Sequence, residues 1–152
     1  DLAGNDGALL YEFKDEIGLK VLNIDPATNL VAISEAKGVE SIADFWSVEL
    51  ANKIRDPYGL VDLITATNVF AHVDNIKDFI LATKIVLTRN GALVIEVPYL
   101  VDFIESYEFD QTYFEHLSYI SVTPLVELCK IVRMKMVSVE KQEIHGGTIR
   151  II

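Results

Sequence analysis

The sequence predicts a doubly wound α/β domain, in which a mainly parallel sheet is covered by helices on both faces. Short apolar segments alternate with amphipathic segments along the chain, and only the last two apolar segments are joined by a short loop. The chain has 152 residues, of which 51% are hydrophobic, and this is enough for one domain with its own core. We therefore treat residues 1–152 as a single domain without an internal boundary.

The apolar segments are too short for helices and rich in aliphatic residues, as expected of strands buried on both faces. They cover residues 20–24, 60–66 and 92–97. Two further strands are predicted at 136–140 and 148–152, and the short loop between them forces an antiparallel pairing. The sheet is therefore expected to end in a hairpin.

The segments between the strands repeat apolar residues at helical spacing. The predicted helix faces are Leu9, Leu10, Phe13 and Ile17, then Ile76, Phe79, Ile80, Thr83 and Val86, and finally Leu125, Leu128, Cys129 and Val132. A strand, a helix and a second strand of these lengths form a right-handed crossover, so most of the sheet is expected to be parallel.

The charge balance excludes several classes of partner. Acidic residues outnumber basic residues by 23 to 13, which gives a net charge of -10. Nucleic acids and anionic membranes would be repelled, so neither is expected as a partner. No apolar run approaches the roughly 20 residues that span a bilayer, and a single cysteine suits a reducing compartment. We expect a soluble, cytoplasmic protein, and because both ends of the sequence look cut, a fragment of a longer one.

A glycine-containing turn precedes the first predicted helix. Gly4, Asn5, Asp6 and Gly7 lie where the backbone can turn tightly and approach a ligand beyond the carboxyl end of a strand. An ordinary strand-to-helix turn is the alternative. Since Asp6 replaces a glycine of the dinucleotide fingerprint, a bound pyrophosphate is disfavoured.

Asp25 and Pro26 lie at the end of the predicted strand that covers residues 20–24. They come about 20 residues after the glycine turn, which is the spacing typical of nucleoside sites. A carboxylate at this position can accept hydrogen bonds from both ribose hydroxyls of an adenosine. The alternative is that Asp25 only caps the helix that follows Pro26.

Two other segments follow strands at the same expected edge. Asp44 and Phe45 come after the presumed third strand and, with Trp46, are candidates to frame an adenine ring. Taken alone, this aromatic segment fits core packing as well. Asn68 follows residues 60–66 and is a candidate to face the amino acid end of an adenosine-containing cofactor.

Six segments occur in a familiar order: GNDG, IDPA, NVFAHV, IEVPYL, FDQTYFEHLSY and HGGTIR. In this order the chain resembles the central domain of the S-adenosylmethionine (SAM)-dependent sugar C-methyltransferases of deoxysugar and antibiotic biosynthesis. The most specific elements are Tyr-x-Glu-His at 113–116 and His-Gly-Gly-Thr-x-Arg at 145–150. The chain departs from the family at Phe114, where a histidine is usual. The zinc module and the C-terminal domain of the family are absent from this chain, so no metal site is expected on it.

The resemblance implies a class I SAM methyltransferase fold with a Rossmann-like, mostly parallel seven-stranded sheet that ends in an antiparallel hairpin strand. It implies S-adenosylmethionine as the cofactor. It also implies a small-molecule acceptor, a nucleotide-linked keto-deoxysugar that is methylated through an enolate on the carbon next to the ketone.

The resemblance further assigns roles on the acceptor side. His116 is implied to be the general base, with Tyr113 and Glu115 as partners that orient it or bind the sugar, and an unperturbed histidine suits a base at neutral pH. The alternative is that this trio is only an exposed polar helix terminus. His72, grouped with the catalytic residues, either contacts the acceptor or satisfies a loop carbonyl.

His145, Gly146 and Gly147 lie in the hairpin loop, and they either bind the substrate or only form the turn. Two other functions stay open. Phe114 is compatible with a SAM-dependent O- or N-methyltransferase that acts on another small molecule. The third interpretation is a nucleotide-binding module without catalysis.

Overall fold

The computed structural model of the protein describes residues 1–144 and 146–152. Strands and helices alternate in it, as the sequence predicts. Two short 3-10 helices, Phe70–His72 and Phe109–Gln111, lie in the loops. The other elements in chain order are α1 Ala8–Ile17, β1 Asn23–Ile24, α2 Thr28–Ala36, β2 Ser41–Ile42, α3 Val48–Tyr58, β3 Val61–Thr67, α4 Ile76–Val86, β4 Leu87–Pro98, α5 Leu100–Glu105, α6 Val122–Val132, β5 Val139–Gln142 and β6 Thr148–Ile151.

The strands of the described residues form two sheets. β1 and β2 pair in parallel, and the second sheet has the order β3-β4-β6-β5. β3 and β4 are parallel, whereas β6 is antiparallel to both β4 and β5. The predicted C-terminal hairpin is confirmed, although its first strand begins at Val139 and not at residue 136.

Residues 1–3 lie between the two sheets. Leu2 forms a parallel bridge with Ile24 of β1, and its N–H donates to the carbonyl of Thr65 in β3 at 2.9 Å. The Ala3 N–H donates to the Ile24 carbonyl at 2.7 Å. Across the molecule the order is therefore β2, β1, residues 1–3, β3, β4, β6 and β5.

The prediction of one mostly parallel seven-stranded sheet is not confirmed. The described residues form sheets of two and four strands, with equal numbers of parallel and antiparallel pairings. The two sheets are connected at Leu2, which makes a single bridge to β1 and no ladder among these residues. The strand predicted at 20–24 is also shorter, covering only Asn23–Ile24.

The core lies between the sheet and helices α3, α4 and α6. Phe70 and Phe79 pack edge to face, with ring centroids 5.4 Å apart, and Ile95 and Val97 of β4 are buried against the same cluster. Burial of one such side chain stabilises the fold by about 1.5–3 kcal/mol. The indole N–H of Trp46 donates to the Phe79 carbonyl at 3.2 Å, so Trp46 packs with the core.

Helices cover both faces of β1, as predicted. Ile24 belongs to the core cluster that includes Leu50 and Ile54 of α3, while the neighbouring Asn23 is hydrogen-bonded to Ser34 of α2 on the opposite face. None of the helices in the described ranges is long and apolar enough to cross a membrane.

Candidate active site

The predicted cofactor residues lie at one edge of the molecule. Asp25 follows β1, Asp44 follows β2, Asn68 follows β3 and Tyr99 follows β4, and the turn of residues 4–7 follows the bridge at Leu2. Because these segments run parallel, their carboxyl ends meet at a common edge. The structure thus brings together residues that are widely separated in the sequence.

The glycine turn has an alternating left-handed backbone. Ala3, Asn5 and Gly7 have φ values of 54°, 54° and 72°. A Cβ atom at Gly4 would lie 2.4 Å from Oδ1 of Asn23, and one at Gly7 would lie 2.2 Å from Oγ of Ser34. Both glycines are required by close packing, whereas Ala3 and Asn5 adopt a conformation that is strained for residues with a side chain.

A buried polar network of Asn23, Ser34 and Ser41 holds the backbone of this turn. Asn23 is fully buried, and its Nδ2 donates to the Asn5 carbonyl at 3.1 Å and to Ser34 Oγ at 3.3 Å. Ser41 Oγ donates to the same Ser34 hydroxyl at 2.8 Å. Oδ1 of Asn23 is buried without a hydrogen-bond partner among the described residues. This network was not predicted, although the asparagine beside Ile24 in an apolar strand was a signal for it.

Asp25 ties the glycine turn to the start of α2. Its side chain is nearly buried, and its two oxygens each accept one backbone N–H, from Asn5 at 3.0 Å and from Ala27 at 2.8 Å. The alternative that Asp25 caps this helix is not confirmed, because the N-cap residue of α2 is Ala27 and no side chain forms a cap hydrogen bond there. Each carboxylate oxygen keeps a second lone pair, so two further donors such as a pair of ribose hydroxyls still fit its capacity. Pro26 is exposed directly beside it.

Asp6 has a different task from its neighbours in the turn. Its Oδ2 lies 2.5 Å from Nζ of Lys37, and its Oδ1 accepts the N–H of Ala8 at 3.3 Å, near the start of α1. The hydrogen bond from Lys37 lowers the pKa of the Asp6 carboxyl below its usual value. The carboxylate is therefore engaged within the protein, and the backbone N–H of Asp6 also donates to Oδ1 of Asn5 at 2.8 Å.

The remaining cofactor candidates are exposed. Asp44 Oδ1 accepts the N–H of Phe45 at 2.8 Å, and the Phe45 side chain is 73% exposed. Asn68 has a left-handed φ of 56° and donates its N–H to the Glu96 carbonyl at 2.9 Å. These side chains are accessible at the expected edge, and their contact with a cofactor stays a prediction.

On the acceptor side, His116 is held in one tautomer. Its Nδ1 lies 2.8 Å from the carbonyl oxygen of Gln111, which can only accept, so Nδ1 carries the hydrogen. In the neutral imidazole, Nε2 then has a free lone pair, which accepts a hydrogen bond from the Tyr113 hydroxyl at 2.7 Å. The two rings are in contact, with centroids 4.0 Å apart. Nε2 of His116 is thus an acceptor that is bonded to a neutral donor.

His72 lies beside this pair, with its ring centroid 5.1 Å from that of His116. Its Nδ1 is 2.9 Å from the carbonyl oxygen of Glu115, which is the loop-carbonyl alternative proposed for it. The carbonyl of Ala71 accepts the N–H groups of Leu117 and Ser118 at 2.9 and 3.1 Å. These bonds fasten the loop to the 3-10 helix that carries His72, and Nε2 of His72 is left as a second acceptor.

Two other members of this segment behave differently. Glu115 contributes its backbone carbonyl, while its side chain is exposed. Phe114 is 96% exposed. Residues 113–116 lie in a loop just after the 3-10 helix Phe109–Gln111 and not at the end of an α-helix; the catalytic role of the trio stays a prediction.

The glycines of the hairpin loop pack against the segment that follows β4. A Cβ atom at Gly146 would lie 2.0 Å from Oε2 of Glu108, and one at Gly147 would lie 2.6 Å from Cβ of Asp102. The Tyr99 N–H donates to the Gly147 carbonyl at 3.0 Å. The glycines therefore serve this packing, and substrate binding by them stays a prediction. His145 lies outside the described residues.

An ion pair near the same edge was not predicted. Nε of Arg150 on β6 lies 2.7 Å from Oε1 of Glu96 on β4, directly opposite in register. A glutamate within an apolar strand and the arginine that ends the last motif were the available signals. Among the described residues, no cluster of three or more His, Cys, Asp or Glu side chains could hold a metal ion.

A family model described as a methyltransferase domain matches residues 1–95, well over half of the chain. The chain belongs to this methyltransferase family. S-adenosylmethionine, the predicted cofactor, is the methyl donor of such a domain. The described site is compatible with it: the Asp25 carboxylate, which holds the glycine turn, has spare acceptor capacity for further donors.

The methyltransferase domain is also similar to a curated protein, the C-methyltransferase NovU of Streptomyces niveus. The two are 32% identical over 149 residues, which is 98% of this chain and 35% of NovU. The chain thus spans about a third of the length of that relative.

Solved structures share the fold of this methyltransferase domain at low sequence identity. A SAM-dependent methyltransferase from Anabaena variabilis has a TM-score of 0.72 and 17% identity over 99% of this chain and 74% of its own. The plantazolicin methyltransferase BpumL, solved with a desmethylPZN analog and SAH, has a TM-score of 0.74 and 11% identity, over 99% and 73%. A SAM-dependent methyltransferase from Archaeoglobus fulgidus has a TM-score of 0.70 and 16% identity, over 93% and 62%. The predicted α/β methyltransferase fold is thereby supported.

Proposed function

We propose that the chain is the catalytic core of a C-methyltransferase that methylates the carbon next to the ketone of a nucleotide-linked keto-deoxysugar. The observation that carries this proposal is the state of His116. Its Nδ1 lies 2.8 Å from the Gln111 carbonyl oxygen, which can only accept, and its Nε2 lies 2.7 Å from the Tyr113 hydroxyl.

The cofactor site is proposed at the carboxyl edge. S-adenosylmethionine, when bound, supplies a methyl group on a positively charged sulfur. Asp25 would hold its ribose, the backbone of residues 4–7 its amino acid end, and Asp44 and Phe45 its adenine. Asn68, exposed after β3, would border the amino acid end.

The reaction begins with removal of a proton from the acceptor carbon, since a carbon must first become a nucleophile. Nε2 of His116 takes this proton, and the Gln111 carbonyl stabilises the resulting imidazolium through Nδ1–H. A positioned general base of this kind typically contributes about 10²–10⁴ in rate. The electron pair of the C–H bond moves into the enolate.

Tyr113 connects this step with charge stabilisation. Its hydroxyl occupies Nε2 in the described structure, so it must turn away before the base can act. The freed O–H then donates to the ketone oxygen, where negative charge develops, and removal of one such donor typically costs about 10²–10³ in rate. The enolate carbon would be the nucleophile for the methyl group that S-adenosylmethionine supplies when bound, and His116 returns its proton to water.

His72 has a supporting role in the proposal. With Nδ1–H tied to the Glu115 carbonyl, its Nε2 accepts a hydrogen bond and suits a sugar hydroxyl. The name of NovU, a C-methyltransferase, supports methylation at carbon. The exposed Phe114 supplies an apolar contact where the resembling family has a polar side chain.

The test uses the full-length protein with isotopically labelled S-adenosylmethionine and a nucleoside-diphosphate-linked keto-deoxysugar. Nuclear magnetic resonance of the product is expected to show the labelled methyl bonded to the carbon adjacent to the carbonyl. A methyl on oxygen or nitrogen would overturn C-methylation while leaving the methyltransferase family in place.

A further inference from the structure

A cavity lies at the end of the molecule opposite the proposed active site. It has a volume of about 620 Å³, within the range of about 300–1,000 Å³ that is usual for small-molecule sites. Its walls are the amino-terminal half of β4, the side of α6 and the segment 133–137 that follows this helix. The cofactor edge lies beyond the other end of β4, so the two sites are separate.

The interior of this cavity is apolar. Its accessible apolar lining includes Leu87, Leu128, Met134, Met136 and Val137, and the buried core residues Phe70, Leu93, Leu125 and Ile151 also border it. Most of them belong to the hydrophobic core or pack against it, which makes the wall continuous with the core. An aliphatic group that enters the cavity would therefore leave water for an apolar surface, which is favourable.

The rim of the cavity is positively charged. Lys84, Arg89, Arg133 and Lys135 line it, and no aspartate or glutamate occurs among the described lining residues. This is unexpected in a chain with 23 acidic and 13 basic residues. Four of the 13 cations thus surround one apolar cavity that lacks carboxylates.

Three of these cations have no partner of their own. Lys84 donates to the Val132 carbonyl at 2.7 Å. The side chains of Arg89, Arg133 and Lys135 are exposed and form neither an ion pair nor a hydrogen bond within the part of the chain that the structure describes. They are available to an external anion, and guanidinium groups favour carboxylates because of their paired donors.

We propose that this cavity binds an amphipathic anion, a monocarboxylate with a medium-length aliphatic chain. The chain occupies the apolar interior, and the carboxylate lies at the rim beside Arg89 and Arg133. Charge complementarity selects this ligand over a neutral or cationic one of equal length. The proposal is independent of the proposed methyltransferase chemistry.

Isothermal titration calorimetry of the full-length protein with decanoate, decanol and decyltrimethylammonium tests the ligand class. Decanoate is expected to bind about tenfold more tightly than decanol, because a hydrogen bond to a charged group is gained. The cationic probe should not bind. Equal affinity for decanoate and decanol would contradict the proposal that the cations at the rim bind the carboxylate.

Matched variants test the residues. Arg133 is at the C-terminus of α6 with a left-handed φ of 57°, so Arg133→Gly removes a cation at a position that glycine prefers. Decanoate affinity should fall about tenfold without loss of stability. Arg89→Gln should also weaken binding, and Arg55→Gln, the same change on an exposed site of α3 outside the cavity, should not. Equal effects of Arg89→Gln and Arg55→Gln would contradict the proposal.

Cys129, which lines the cavity, reports the location. Burial raises the pKa of its thiol, so labelling with N-ethylmaleimide is run at alkaline pH, where the thiolate forms. Decanoate should slow the labelling of Cys129. Binding of decanoate without protection would place its site elsewhere, and protection only by an acidic amphipathic peptide would favour a protein partner; either result would overturn the proposal.

Discussion

The hydroxyl of Tyr113 lies 2.7 Å from Nε2 of His116, on the side of the imidazole opposite its bond to the Gln111 carbonyl. The tyrosine therefore has access to the same nitrogen that would take the substrate proton. In the proposed reaction it exchanges this partner for the ketone oxygen, so its O–H matters for turnover more than for folding.

We expect Tyr113→Phe to lower kcat for methyl transfer by about 10²-fold, since one donor to the developing negative charge is lost. The affinity for S-adenosylmethionine should be unchanged, because the tyrosine is on the acceptor side. Steady-state kinetics and calorimetry measure the two quantities. Tyr119→Phe is the control, because the Tyr119 ring lies edge-on to the His116 ring with centroids 6.4 Å apart. This variant should retain the wild-type kcat. A wild-type kcat in Tyr113→Phe would exclude the proposed exchange.

Asp25→Asn should weaken S-adenosylmethionine binding by about 10- to 100-fold, because hydrogen bonds to a charged acceptor are lost. The amide keeps only one acceptor oxygen for the N–H groups of Asn5 and Ala27, so stability should fall by about 1–3 kcal/mol as well. Calorimetry on the folded variant measures the affinity for S-adenosylmethionine separately from the loss of stability. Asp15→Asn, on an exposed site of α1, should change neither, and wild-type affinity in Asp25→Asn would remove the ribose assignment.

Gly7→Ala should destabilise the protein by about 2–4 kcal/mol, because the cost of a left-handed backbone at alanine adds to the cost of a steric clash. The new Cβ would lie 2.2 Å from Ser34 Oγ. Gly18 has the same φ of 72° with nothing within 4 Å of its Cβ position, so Gly18→Ala isolates the backbone cost of about 1 kcal/mol. Urea unfolding without ligand compares the two variants. Equal losses would show that packing against Ser34 does not constrain the turn.

Ala3→Gly should stabilise the protein by about 0.5–1 kcal/mol, because relief of left-handed strain exceeds the added flexibility of the unfolded chain. The φ of Ala3 is 54°. Ala32→Gly, in the exposed interior of α2, should instead cost about 1 kcal/mol. Thermal and urea unfolding measure the change in the free energy of unfolding for each variant. If Ala3→Gly is destabilised, the backbone at Ala3 is not strained.

The alternation of strands and helices was predictable because each element buries one or both of its faces along its whole length. This burial leaves a regular spacing of apolar residues in the sequence. The edge of the site followed from it, since parallel strands bring their carboxyl ends together, and Asp25, Asp44 and Asn68 were placed there correctly. The bounds of the strands were less accurate. The predicted strand includes residues 20–22, of which Val21 and Leu22 are apolar, but the pairing ladder includes only Asn23–Ile24.

Hydrogen-bond partners could not be predicted in the same way. The tautomer of His116 depends on the direction of the Gln111 carbonyl, and the strain at Ala3 depends on backbone angles that composition does not encode. The network of Asn23, Ser34 and Ser41 joins three elements. Such contacts follow from the tertiary arrangement, which a single sequence specifies only indirectly.

The central claim, that Nε2 of His116 removes a proton from the acceptor carbon, is tested most directly by proton exchange in deuterium oxide. The full-length protein is incubated with the keto-deoxysugar nucleotide without S-adenosylmethionine, and the hydrogen next to the ketone is followed by nuclear magnetic resonance. We predict exchange with the wild type and a loss of about 10²-fold or more in His116→Asn, with folding intact. Exchange at the wild-type rate in His116→Asn would contradict the account.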